Sequence, residues 1–289
     1  QIFGVTGDAQ PEVRIGNKGS WGWADDGKFH EELAGVELLP LFALLDEPRS
    51  NGLFRVRPDL TDFTLDVHVG GSAYQVSGAN AGLLVAVERR DATPGTTDRV
   101  EVRSVTGATT EFTLRPAGGT TNLSVALAFA QRTNGQTGFT WLGLRLDQNQ
   151  SARFTGEPGS RAVGLQSDRP LRAFLVVEDT RDATAPGRLL VGPFELGADG
   201  RVTVAAGGGR EASGVFVEVD ADGNGQPEIR GHEAGLPIDV PPGAAGDDNG
   251  NGVLDRYEVA TGALAEPTAA VPPRLTLAAH EAGKGATLR

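Results

Sequence analysis

At 289 residues, with 39% hydrophobic residues and a formal net charge of −12, the chain is long enough to bury a core. Its charge repels phosphate and anionic lipid, which excludes a nucleic-acid binder working through a basic surface. The absence of cysteine excludes disulfides and thiol chemistry, and no apolar run reaches the roughly 18–20 residues that span a bilayer.

In chain order, "QIFGV" (1–5) reads as a short apolar strand, and its opening glutamine is what a secreted chain shows once a signal peptide has been removed. "WGW" (21–23) puts both indoles on one face if extended. "FHEELAGVELLPLFALLDEP" (29–48) admits a short helix at its start or an extended buried segment, because Gly35 and Pro40 interrupt a helix. "DFTLDVHV" then alternates cleanly, with Phe63, Leu65, Val67 and Val69 on one face and Asp66 and His68 on the other. "RVEVRSV" (99–105) and "TEFTLRP" (110–116) flank "TGAT" as hairpin strands. The denser runs "LLVAVER" (83–89), "LSVALAFA" (123–130), "FTWLGLRL" (139–146) and "LRAFLVVED" (171–179) are expected as central strands buried on both faces. "RLLVGPFEL", "RVTVAA" and "GVFVEVD" follow, with turn signals at Thr133-Asn134-Gly135 and Ala198-Asp199-Gly200. Many strands, 41 glycines, 17 prolines and almost no helical periodicity predict an all-β antiparallel sandwich of jelly-roll or immunoglobulin-like type.

The expected organisation is an N-terminal segment (1–50) packed on or extending the sandwich, a sandwich core (51–240), and a C-terminal part (241–289). That last part comprises an acidic loop, a Pro/Ala linker over 261–273 and a terminal strand, "RLTLAA" (274–279). No fixed-period repeat is visible. The charge is concentrated: residues 211–260 hold eleven acids against Arg230 and Arg256 alone.

Two loops in that stretch have the spacing of an oxygen cage. Ca²⁺ takes six to eight hard oxygen ligands at roughly 2.3–2.6 Å, and alternating positions let side chains converge while the backbone turns outwards. In "GDDNGNGVLDRYE" (246–258) the register begins at Asp247. Asn249 is then third, Asn251 fifth, Gly252 sixth, Val253 seventh through its carbonyl, Asp255 ninth and Glu258 twelfth, with apolar Leu254 eighth. Starting at Asp248 instead puts glycines where ligands are needed. The earlier "DADGNGQPEIRGHE" (220–233) offers Asp220, Asp222, Asn224, Gln226 and Glu228 at positions one, three, five, seven and nine, with Gly225 sixth. Its twelfth residue is Gly231, so closure falls to Glu228, to Glu233 or to a group from elsewhere, or else the stretch is an ordinary Asp/Gly turn after "GVFVEV". The 246–258 loop resembles the EF-hand-type calcium loop, and 220–233 follows the same pattern up to its ninth position. The former is closer to the DxDxDGxxDxxE loops of secreted bacterial surface proteins and thrombospondin type 3 repeats. The resemblance covers about a dozen residues and implies calcium.

Other motifs fail on context. "GGGREA" (207–212) has a dinucleotide-type spacing but no room for the helix that would follow, and "GGSAY" (70–74) lacks the closing glycine of a nucleophile elbow. His30, His68, His232 and His280 share no metal-ligand spacing. With no catalytic constellation, the expectation is a non-enzymatic, extracellular or cell-surface, calcium-binding structural protein. Such a protein would be a subunit of a surface layer, filament or adhesin, self-assembling with copies of itself by adding a terminal strand to a neighbour's sheet. The alternative is a secreted carbohydrate-binding module or glycan-active enzyme. Its calcium would be structural, its partner a polysaccharide and its platform Trp21, Trp23 and Trp141.

Overall fold

The computed structural model describes residues 1–39, 52–80, 82–105, 109–129, 137–179, 187–206 and 215–263. Two long strands organise them. β1 (Ile2–Arg14) and β6 (Asp62–Asn80) run antiparallel against each other, with a register shift between Gly7 and Ala9. The bulge there bends the two-stranded ribbon, and each half of the ribbon seeds a different sheet. Gly7 has φ +92°, and a Cβ on it would lie 2.7 Å from the Ala73 carbonyl oxygen. Only glycine fits that close approach.

On one side of the shift, the start of β1 pairs with β5 (Gly52–Val56), which carries β4 (Val36–Leu38) at its edge. The end of β6 pairs with β7 (Leu83–Arg89), and this first sheet continues through β10 (Leu123–Phe129), β11 (Thr137–Leu142), β14 (Leu171–Asp179) and β15 (Gly187–Leu196). On the other side, the end of β1 pairs with β2 (Ser20–Trp23), edged by β3 (Phe29–Glu31). The start of β6 pairs with β8 (Thr97–Val105). This second sheet runs on through β9 (Thr109–Arg115), β12 (Ala152–Glu157), β13 (Ala162–Ser167), β16 (Arg201–Ala206), β17 (Val215–Asp220) and β18 (Ile229–Glu233). All these pairings are antiparallel, and the sheet does not close. From β8 to β17 the chain lays two strands in one sheet and then two in the other.

The core lies between the sheets. Phe3 meets Phe63 edge-on at 5.1 Å and Trp21 meets Phe54 at 5.6 Å, both contacts crossing the interlayer. The alternation read in "DFTLDVHV" holds: Phe63, Leu65, Val67 and Val69 are buried, and the predicted hairpin is β8–β9. Each such side chain contributes about 1.5–3 kcal/mol on full burial.

Several expectations are corrected. β7 and β10 bury one face only; the other carries Leu84, 42% exposed, with Ala86, Ala126 and Ala128 half-buried. "FTWLGLRL" is not one strand: β11 ends at Leu142, and Gly143 (φ +67°) turns the chain towards the second sheet with Leu144 and Leu146 fully buried. Of the two readings for the start of 29–48 the extended one holds, as β3 and β4, but these strands are largely exposed rather than buried, with Leu38 55% exposed. "QIFGV" is not a free strand for a neighbour, because it lies between β5 and β6 of its own sheet. Both indoles of "WGW" contact Phe29, yet Trp21 and Trp141 are core residues, leaving Trp23 alone half-exposed. The turn at 133–135, "GGGREA" at 207–212, most of the linker at 261–273, and "RLTLAA" at 274–279 lie outside the described residues. Among those described, no helix is long and apolar enough to cross a membrane.

Two further features were not predicted. Where the chain crosses from β7 to β8, Arg89 is wholly buried. It pairs with buried Asp98, which also accepts from the Tyr74 hydroxyl at 2.6 Å and the Ala117 N–H at 2.8 Å. Arg89 also donates to the Gly119 carbonyl at 3.1 Å, so the cluster ties β6, β7, β8 and the 117–119 loop together. A second apolar cluster sits outside the sandwich. Leu142, Phe174, Val176 and Leu190, from the outer face of β11, β14 and β15, are covered by Ile238, Leu254 and Ala260. The covering segment begins at β19 (Leu236–Pro237), which pairs with β15, and ends in α1 (Asp255–Thr261), the single helix among the described residues.

Candidate metal centres

Loop one is the hairpin connection between β17 and β18. Alternation turns Val215, Val217 and Val219 inwards, so Asp220 points outwards at the strand end, yet it is only 3% exposed. The loop folds back over it, and Arg201 lies beside it with Nε 3.3 Å from Oδ2. The Gly225 N–H donates to that oxygen at 2.9 Å. Asp222 Oδ1 accepts from the Asn224 N–H at 3.0 Å, and Asn224 Oδ1 from the Gln226 N–H at 2.7 Å. These successive Asx turns wind the backbone so that alternate side chains stay inside. Glu228 Oε2 accepts from the Ala221 N–H at 2.6 Å, which draws the ninth residue back across the loop mouth.

Carboxylate oxygens of Asp220, Asp222 and Glu228 lie within 4.8 Å of one another, the one such group of three acidic or histidine side chains among the described residues. Ligands at 2.3–2.6 Å on opposite sides of a Ca²⁺ ion stand about 5 Å apart, so the group matches the ion in size. Glu228 is therefore the closing carboxylate in this geometry. Gly231 is paired with Val217 inside the sheet, and Glu233 accepts from the Gly192 N–H instead.

Loop two runs from Asp247 into α1. Asp247 is 2% exposed and collects backbone donors: Gly243 and Gly252 N–H on Oδ2 at 2.9 and 3.0 Å, and Asn251 N–H on Oδ1 at 3.0 Å. Burial raises its carboxyl pKa, but the donors from Gly243, Gly252, Asn251 and Gly250 outweigh that and hold it below the ordinary aspartate range. Asp247 is thus an anion at neutral pH. Gly252 has φ +83°, the bend required at the sixth position. Asn249 and Asn251 turn their amides to the two oxygens of Glu258, with Nδ2 at 2.7 and 2.8 Å. Positions three, five and twelve therefore converge on one point. Their Oδ1 atoms accept from the Asn251 and Val253 N–H groups at 3.0 and 2.8 Å, so the same two side chains shape the loop and face Glu258. Asp248 stays outside, exposed, donating only its N–H to Asp255 Oδ2 at 3.1 Å. Val253 bridges to Asp239, and Leu254 packs inwards as the eighth position requires.

Each loop leaves one carboxylate oxygen buried with no hydrogen-bond partner: Asp220 Oδ1 in loop one and Asp255 Oδ1 in loop two. Unpaired buried carboxylate oxygens are costly, and a bound cation is the partner that removes the cost. Among the described residues loop one thus holds the acidic group that fits a metal ion, while loop two gathers Asn249, Asn251 and Glu258 without a second group of that kind. The loops dock separately: loop one rests on the turn at Ala198–Asp199, and loop two on the outer face of the first sheet. Local spacing pointed to the cage residues, but the docking contacts of loop two, Arg188 with Asp239 and Tyr257, carry no sequence signal.

Among the other histidines, His30 lies beside Asp26 and Glu32, His68 beside Thr97, Glu12 and Asp25, and His232 against the Phe216 ring. No family model, curated protein or solved structure matches the chain.

Proposed function

We propose that the chain is an extracellular calcium-binding structural protein, a subunit of a cell-surface layer, filament or adhesin, with Ca²⁺ held in both acidic loops. Loop one supplies Asp220, Asp222, Asn224, the Gln226 carbonyl and Glu228; loop two supplies Asp247, Asn249, Asn251, the Val253 carbonyl, Asp255 and Glu258. The observation that carries this reading is the convergence of the Asp220, Asp222 and Glu228 carboxylates to within 4.8 Å of one another in a loop whose alternate residues carry oxygen ligands. Asparagines in place of two aspartates lower the ligand charge of loop two, which suits the millimolar calcium outside cells. Bound ions then stabilise the fold by mass action. Self-assembly belongs to the same proposal. Because "QIFGV" is used within its own sheet, the strand offered to a neighbour is "RLTLAA" (274–279) or a sheet edge such as β18.

Isothermal titration with Ca²⁺ tests the ion. Two sites are expected, with Asp220→Ala removing one and Glu258→Ala the other. A chain that takes up no calcium at millimolar concentration sinks the proposal. Electron microscopy of the purified protein with and without calcium tests assembly, with ordered sheets or fibres as the expected result.

A further inference from the structure

The second apolar cluster is built from two sources. Leu142, Phe174, Val176 and Leu190 belong to the first sheet; Ile238, Leu254 and Ala260 arrive with the segment that carries loop two. Along that segment, cage residues and apolar plugs are interleaved. Leu254 stands between Val253 and Asp255, and Ala260 lies two residues beyond Glu258. Backbone bonds fasten the parts together. The Ile238 N–H donates to the Arg188 carbonyl of β15 at 3.1 Å, the Leu254 N–H to the Ile238 carbonyl at 2.9 Å, and the Val240 N–H to the Gly252 carbonyl at 3.1 Å. At the rim Arg188 grips both carboxylate oxygens of Asp239, and its guanidinium lies 5.8 Å from the centre of the Tyr257 ring. Against docking stands charge: Asp247, Asp248, Asp255 and Glu258 fall within twelve residues, and Arg256 is the sole cation between 240 and 263. The main core does not need this segment, since none of its buried residues lies beyond Val219.

We propose that calcium in loop two holds residues 238–260 against the first sheet as a detachable cover, so that ion binding and docking strengthen each other. This rests on the calcium reading above. The ion fixes Asp255 and Glu258 on the first turn of α1, and the same turn sets Leu254 against the sheet. Linkage makes the coupling reciprocal: the factor by which docking tightens calcium is the factor by which calcium tightens docking. Removing the ion is expected to free the segment and bare Phe174 and Val176 while the sandwich stays folded.

The test uses the full chain. Tryptic cleavage after Arg256, followed by mass spectrometry, is expected to run about tenfold or more faster in EGTA than in millimolar CaCl₂. Ile238→Ala touches no cage residue, yet it is expected to weaken calcium binding at loop two about tenfold, measured by calorimetry with Asp220→Asn and Asp222→Asn silencing loop one. Leu84→Ala, on the same sheet face but outside the cluster, is expected to change nothing. Near-ultraviolet circular dichroism from Trp21 and Trp141 reports whether each variant keeps its sandwich, and Leu254→Ala gives a second route if Ile238→Ala does not. Calcium binding with equal cleavage rates and an unchanged affinity in Ile238→Ala overturns the cover and leaves the calcium site standing. No binding at loop two in the parent chain overturns both.

Discussion

Arg89 has no exposed side-chain surface, and its charge is tolerated because Asp98, Asp91 and the 117–119 loop surround it. Asp98 is equally buried and accepts from Tyr74 as well. Burial, with the Asp98 charge beside it, pushes the Tyr74 hydroxyl well above the ordinary phenol range, so it remains a donor. Removing Asp98 takes away the buried half of the pair: Asp98→Ala is expected to cost about 3 kcal/mol in urea unfolding, since the buried guanidinium would keep only Asp91 at 3.3 Å and backbone carbonyls. Glu233 poses the opposite case. Burial raises its carboxyl to about 7, and the Gly192 N–H only partly offsets this. An acid whose pKa is raised on folding binds its proton better when folded, so the chain loses stability as the pH climbs from about 4.5 towards 7 and stays lower above it. Glu233→Gln removes that loss. The full shift corresponds to about 3 kcal/mol, and solvent reaching part of the group reduces this to about 1–2 kcal/mol. Thermal melts should therefore coincide for the two proteins at pH 4 and separate at pH 8, with the variant the more stable.

Among the elements, the bent β1–β6 ribbon decides the most. Its two halves feed both layers, and Gly7 permits the bend. Gly7→Ala is expected to cost about 2–4 kcal/mol, combining strain at positive φ with a clash at Ala73. Gly16→Ala is the control, because Gly16 also has positive φ but open space around it; about 1–2 kcal/mol is expected there in the same urea titration. Most strands were legible because burying one face imposes period two on the residues themselves, as in β6, β8 and β9. The outer faces of β7 and β10 misled because alanine and an occasional leucine read as apolar whether covered or not. The cage registers were legible for another reason: ligand spacing is a local code within a dozen residues. The docking of loop two was not legible. Leu254 and Ile238 meet partners such as Leu142, Phe174 and Leu190, which lie far off in the sequence and bear no mark of it.

Across the whole molecule, the paired alternation between sheets recurs about every fifty residues: β7, β11 and β15 fall at matching places in the first sheet, and β8, β12 and β16 in the second. No repeat was visible in the sequence because each turn of the pattern constrains only which residues face inwards, not what they are. Such a layout behaves as a stack, each four-strand unit resting on its predecessor. Nothing in that plan sets its length. Another unit inserted at the β13–β14 crossover would be threaded like its neighbours and would extend both sheets in step. Among the described residues, loop one joins the last two strands of the second sheet, and the segment bearing loop two lies across the last strands of the first. Both acidic loops thus sit at the same end of that stack, where an ion in each would clamp the strands that have the fewest neighbours.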